Sequence, residues 1–231
     1  MGEIIKKSGL ASVVLLTIFG TTFVFHITQS FQINFAKAEK FLQRDQYMMS
    51  LGYLIPAASA KPQNKEVLKD LAIVYDKLGR KEDCLFSLEI LESIEIKDLE
   101  IKKWLADAYY GNNDFAVAER LYRDILTEKK SPAVKRKLAE VSAWQGKYSR
   151  AEILLNQLCL NSPSDYKTRE LLADIYTWDK KYNQAAELYS QVISSDGRNY
   201  DVILKLADVL RYSGKDRQSL KLYKQYIEKT E

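Results

Sequence analysis

Four acidic residues recur at one interval along the chain: Asp107, Glu140, Asp174 and Asp208. If the helices that carry them stack in register, the carboxylates line up into a ladder that attracts a basic segment of a partner protein. Three aromatic residues keep the same interval, Trp144, Trp178 and Tyr212. Aromatic faces so arranged stack on sugars or cover a peptide. Each pattern also has a plainer account. Lys103 and Arg136 lie four residues before Asp107 and Glu140, on the same helical side, where they would form ion pairs. Glu170 and Leu204 hold that position before Asp174 and Asp208, so simple pairing covers half of the set. The aromatic residues would equally serve as packing, and Trp144 and Trp178 are expected to be largely buried between helices.

Little else in the chain suggests chemistry. His26 is the only histidine, and it falls near the end of an apolar run. There is no CxxC, HExxH, GxSxG or phosphate-cradling GxxxxGK[ST] motif. Other carboxylates lie among lysines on helical faces. The expectation is a non-enzymatic protein with no metal and no cofactor. The net charge of +4 is spread over interspersed Lys and Glu, and no nucleic-acid-reading motif accompanies it, so nucleic acid is not an expected partner.

The elements that must position these residues follow a period. Leu-Ala pairs begin at Leu71, Leu105, Leu138, Leu172 and Leu206, spaced 34, 33, 34 and 34 residues apart. Each pair leads into apolar residues three and four apart, the helical period. Two helices per copy are joined by a turn near Gly79, Asn113, Gly146 or Gly214. A second small residue, as in Cys84, Ala118, Ala151, Ala185 and Ser219, lets the two helices approach closely. A weaker first copy holds Ala38, Phe41, Tyr47, Ser50, Leu54, Ala57 and Pro62. One helix pair cannot bury both of its faces, so the copies must stack into a solenoid. Ser131 with Pro132, Asp98 and Asp165 supply helix starts. Pro56 is expected to kink or shorten the second helix. That first copy also carries the run QYMMSLGYLIPAA, which fits either a terminal cap or an apolar surface for membrane or partner. Cys84 and Cys159 fall two copies apart, too far for a disulfide, and are expected to be core thiols.

This pattern resembles the tetratricopeptide repeat family, over about residues 31–231 in six copies starting near 31, 65, 99, 132, 166 and 200. The resemblance implies an all-α, right-handed α-solenoid whose first helices line a protein-binding groove. The segments LAEVSAWQGKYSRAE and LADIYTWDKKYNQAAE resemble a bacterial subclass frequent in envelope proteins, including exopolysaccharide-export machinery; Lys180 stands where that pattern has Gly. The family's carboxylate clamp uses Asn just after the Leu-small pair. Ile73, Asp107, Glu140 and Asp174 stand there instead, and the acidic ones would repel a peptide's terminal carboxylate.

Ahead of the repeats, residues 1–8 read as a short basic tail with Lys6 and Lys7, and 9–28 as a transmembrane helix. Gly9 to Ile27 contains no charged residue apart from the titratable His26, a length that crosses a bilayer core. A cleaved signal peptide is the competing reading. Thr28, Gln29 and Ser30 are the one evident break before the repeats; they carry no Gly or Pro, and the alternative is a first repeat helix that continues from the anchor. The basic tail favours the cytoplasmic side, which places the solenoid on the extracytoplasmic or periplasmic side. The expected function is a membrane-anchored, non-catalytic scaffold binding protein partners in a bacterial envelope complex. The alternatives are a carbohydrate-binding module and a cytosol-facing receptor.

Overall fold

The computed structural model describes the backbone of residues 2–94, 97–195 and 200–230, and the side chains of 20–22, 24–94, 97–194 and 200–228. Among these residues the fold is all-α, with twelve helices and no strand. In chain order they are α1 (Gly2–Leu42), α2 (Tyr47–Ala60), α3 (Lys65–Lys77), α4 (Lys81–Ile94), α5 (Leu99–Gly111) and α6 (Phe115–Glu128). There follow α7 (Pro132–Trp144), α8 (Tyr148–Asn161), α9 (Tyr166–Trp178), α10 (Tyr182–Ser195), α11 (Tyr200–Tyr212) and α12 (Asp216–Thr230). They form a repeated helix-turn-helix array.

The turns inside the repeats share one geometry. Asp45, Gly79, Asn113, Gly146, Lys180 and Gly214 all have positive φ, between 55° and 76°. In each turn the following amide closes back five residues, as Lys147 to the Ser142 carbonyl at 2.8 Å and Lys181 to the Tyr176 carbonyl at 2.8 Å. This is the left-handed C-terminal cap that satisfies the last carbonyls of a helix. Glycine takes it without strain at Gly146, while Lys180 adopts it with a side chain. Helix starts are capped as well: Asn64, Asp114, Ser131 and Asp165 each accept from the amide three residues on.

The paired helices approach closely. Ala72, Ala106, Ala139, Ala173 and Ala207 are fully buried, as are Ala118, Ala151 and Ala185. The Ser219 hydroxyl donates to the Ala207 carbonyl at 2.7 Å, and Ser50 does the same to Ala38 at 2.9 Å.

The chain divides into two compact units, Met1–Ala108 and Tyr109–Glu231. In the first, α1 packs on α2, α2 on α3 and α3 on α4. Its core includes Phe31, Ala38, Leu54, Ala57, Val67 and Val74. In the second, α6 to α12 pack in sequence, each on the next. Its core runs from Ala139 to Leu210 and includes Leu155, Ile175, Tyr189 and Val202. Burying each such aliphatic side chain contributes about 1.5–3 kcal/mol.

Two expectations change and one alternative is chosen. Helix α1 runs straight through Thr28–Ser30, the continuation of the first helix rather than a break. Thr28 donates its hydroxyl to the Val24 carbonyl at 2.8 Å and so satisfies itself inside the helix. Helix α2 is not shortened by Pro56 and matches the 14 residues of α4, α6, α8 and α10. The carbonyl deprived of a partner there is that of Gly52, four residues earlier. Of the two thiols, Cys84 is buried and Cys159 half-buried, and both are free. Burial, with Asp76 adding to it, pushes the Cys84 thiol up to about 11. Among the described residues no helix is long and apolar enough to cross a membrane. The greater part of the span expected over 9–28 lies outside the described side chains.

Candidate functional site

Trp144, Trp178 and Tyr212 are the last residues of α7, α9 and α11, all within the second unit. They are open to solvent, at 54%, 40% and 53% exposure. This corrects the expectation that the indoles are buried between helices. The reason is angular. The helix advances about 100° per residue, so a position six residues after Leu138 or Leu172 lies about 120° away from the core-facing direction. Val141, Ile175 and Val209, three residues before the rings, occupy the seam instead and are buried.

The rings join further aromatic residues. Phe115 stacks on Trp144 with centroids 6.2 Å apart and planes 7° from parallel. Trp144 and Trp178 lie 5.4 Å apart at 36°. Tyr110 meets Phe115 at 5.9 Å and accepts a hydrogen bond from the Trp144 indole N–H at 3.2 Å. Tyr182 meets Tyr212 at 5.6 Å. Sequence reasoning missed Phe115 and Tyr182 as members of this face. The available signal was that Phe115, Tyr148 and Tyr182 open α6, α8 and α10 at the same repeat position.

Between Trp178 and Tyr212 lies a cleft of about 480 Å³, lined also by Asp174, Thr177, Tyr189, Lys205, Asp208 and Val209. Its polar groups are held by bonds within the chain. The Tyr189 hydroxyl donates to Asp174 at 2.6 Å, and the Tyr223 hydroxyl donates to Asp208 at 2.6 Å, each across the same separation of 15 residues. Burial and then the Asp174 charge raise the Tyr189 pKa, which keeps it a donor. Lys205 reaches Glu170 at 2.8 Å and Asp174 at 2.9 Å.

The four carboxylates expected to form a free ladder are therefore engaged. Lys103 pairs with Asp107 at 2.7 Å and Lys137 with Glu140 at 3.0 Å. Lys205 pairs with Asp174, and Arg211 lies 3.4 Å from Asp208. Arg136, placed to pair with Glu140, turns to Asp165 and Thr168 instead, both at 3.1 Å. The physical correction is that each charge in the set has a cationic neighbour in its own unit.

Among the described residues of the second unit the most buried acid is Glu119, its side chain 7% exposed. It takes Lys147 at 2.8 Å, Arg150 at 2.7 Å and Arg123. Burial works to raise its pKa, yet the Lys147 hydrogen bond and the Arg123 and Lys147 charges outweigh it, and the pKa is lowered.

The first unit carries a different surface. Met48, Ile55 and Phe86 are exposed, Phe86 at 65%. A groove of about 350 Å³ is lined by Ile55, Ala58, Pro62, Leu71, Phe86 and Ile90, among others. No group of three or more His, Cys, Asp or Glu fit for a metal ion occurs among the described residues.

No family model matches the sequence, and no curated protein matches it. Solved structures do. A tetratricopeptide repeat protein from Parabacteroides merdae aligns with TM-score 0.76 and 17% identity, over 87% of this chain and 80% of that one. PilW, a type IV pilus biogenesis factor, aligns with TM-score 0.67 and 17% identity, over 85% and 92%. MamA from Desulfovibrio magneticus aligns with TM-score 0.64 and 15% identity, over 71% and 93%. The chain has the fold of the tetratricopeptide repeat proteins.

Proposed function

We propose that this protein is a non-catalytic scaffold that holds a partner protein, and that the first unit does the holding. The observation that carries this reading is the apolar groove between α2, α3 and α4. Its rim residues Ile55 and Phe86 are exposed and its floor is aliphatic. A groove of this kind takes the apolar face of an amphipathic helix. The flexible, polarisable Met48 and Met49, exposed on the same helix α2, suit an adaptable contact. A helical array with caps, turns and cores repeated at a fixed interval supplies a rigid support for such a surface.

The setting proposed is a bacterial envelope complex, with residues 9–28 as the anchor and the repeats on the extracytoplasmic side. That part rests on the uncharged run and the flanking Lys6 and Lys7. PilW, a pilus biogenesis factor, shares the fold and is consistent with such a setting.

The test is cross-linking of the full chain in bacterial membranes, with partners identified by mass, alongside Ile55→Glu and Phe86→Glu. A partner captured by the wild type and lost from both variants, with helical circular dichroism unchanged, is the expected result. Retention of every partner by both variants removes the groove from the account. Extraction of the protein by alkaline carbonate without detergent removes the anchor.

A further inference from the structure

We propose that the Trp144–Trp178–Tyr212 face of the second unit binds a neutral carbohydrate chain. The site is separate from the groove of the first unit, so the proposal stands or falls independently of the protein-docking reading.

A sugar ring has an apolar face of C–H groups and an edge of hydroxyls. Its binding site therefore needs an open aromatic face with hydrogen-bonding groups beside it. Both occur here. The three rings are 40–54% exposed, Trp144 and Trp178 adjoin at 5.4 Å, so the platform is longer than one ring, and the Arg211 guanidinium lies over the Tyr212 ring at 4.9 Å. The cleft between Trp178 and Tyr212 presents Thr177, Lys205 and Asp208, which include both donors and acceptors.

Charge decides against an anionic ligand. Lys205 is shared by Glu170 and Asp174, and Arg211 lies at Asp208, so three carboxylates face two cations. The remaining lone pairs on these groups suit hydroxyls rather than a charge. Trp144 spends its N–H on the Tyr110 hydroxyl at 3.2 Å, so that ring has no donor left for the carbonyls of an extended peptide.

The experiment is calorimetric titration of the full chain with neutral hexasaccharides of β-linked glucose, mannose, galactose and N-acetylglucosamine, and with the matching monosaccharides. The expected result is saturable binding of at least one hexasaccharide, at least about tenfold tighter than its monosaccharide because several rings contribute. Trp178→Ala and Tyr212→Ala should each weaken it by about tenfold or more with helical signal intact. Trp178→Phe, which keeps a ring, should lose less and serves if the alanine variant does not fold. Three outcomes overturn the proposal: no hexasaccharide binds, binding survives both alanine variants, or a proline-rich peptide binds the face and the hexasaccharide does not displace it.

Discussion

The Lys147 ammonium lies 2.8 Å from the Glu119 carboxylate, 28 residues earlier in the chain. One repeat later, Lys181 reaches back to Glu152 at 2.9 Å, across 29 residues. At these two left-handed turns the lysine that follows thus ties its own repeat to the one before it. The tie rests on a buried acid in the first case and a half-buried one in the second.

Glu119→Ala should destabilise the protein by roughly 2 kcal/mol, because it leaves Arg123, Lys147 and Arg150 facing one another. The cations are partly exposed, so the cost stays below that of a wholly buried pair broken open. Glu119 has a lowered folded-state pKa, so its contribution is present above the unfolded carboxylate value near 4.3 and lost as pH falls through the folded value. Urea unfolding at pH 7 and at pH 3 should show the two proteins converging in acid. Equal stability at pH 7 would refute the role given to Glu119.

Asp70 behaves in the opposite sense. Burial raises its pKa to about 6, with Glu39 and Glu66 adding to it. The folded state favours the protonated form, so this contribution is full below the unfolded value near 3.9 and lost as pH rises through about 6. Asp70→Asn should stabilise by about 1 kcal/mol at pH 7.5, after allowance for solvent screening, and change little at pH 3.5. Destabilisation at pH 7.5 would contradict it.

The turn residues make a paired prediction. Gly146→Ala should cost about 1 kcal/mol, since a Cβ there meets no atom within 4 Å and only the backbone is strained. Lys180→Gly, at the same turn one repeat on, should be neutral or stabilising by up to ~0.5 kcal/mol. Thermal unfolding of the two variants gives the sign directly. A loss at Lys180→Gly as large as at Gly146→Ala would show that the lysine side chain matters more than its φ.

Tyr189→Phe removes the hydroxyl that donates to Asp174. Asp174 keeps Lys205, so no charge is orphaned, and the expected cost is about 1 kcal/mol in urea unfolding. A cost near zero would mean that Lys205 alone orients the carboxylate.

The array was legible in the sequence because burial and backbone geometry repeat at the spacing of the Leu-Ala pairs. Ala72, Ala106, Ala139, Ala173 and Ala207 can be picked out by size alone. The turn at Lys180 was harder to read, since lysine carries no mark of a positive φ, and only its place in the period gives it away. The candidate face was legible as residues and misread as packing. That Trp144 and Trp178 recur says nothing of which side of the helix they leave. The partners of Asp174 were out of reach: Lys205 lies 31 residues on, and no local rule joins them. Glu119 was missed because a buried acid and an exposed one look alike until the fold brings Lys147 and Arg150 beside it.

The two indoles at 5.4 Å have a spectroscopic consequence. Chromophores that close and tilted share their excited states, and the sharing appears as a pair of opposite circular-dichroism bands. The rings belong to neighbouring repeats, so the signal exists only while α7 and α9 keep their mutual register. The protein thus carries its own optical gauge of one inter-repeat joint, readable without a label.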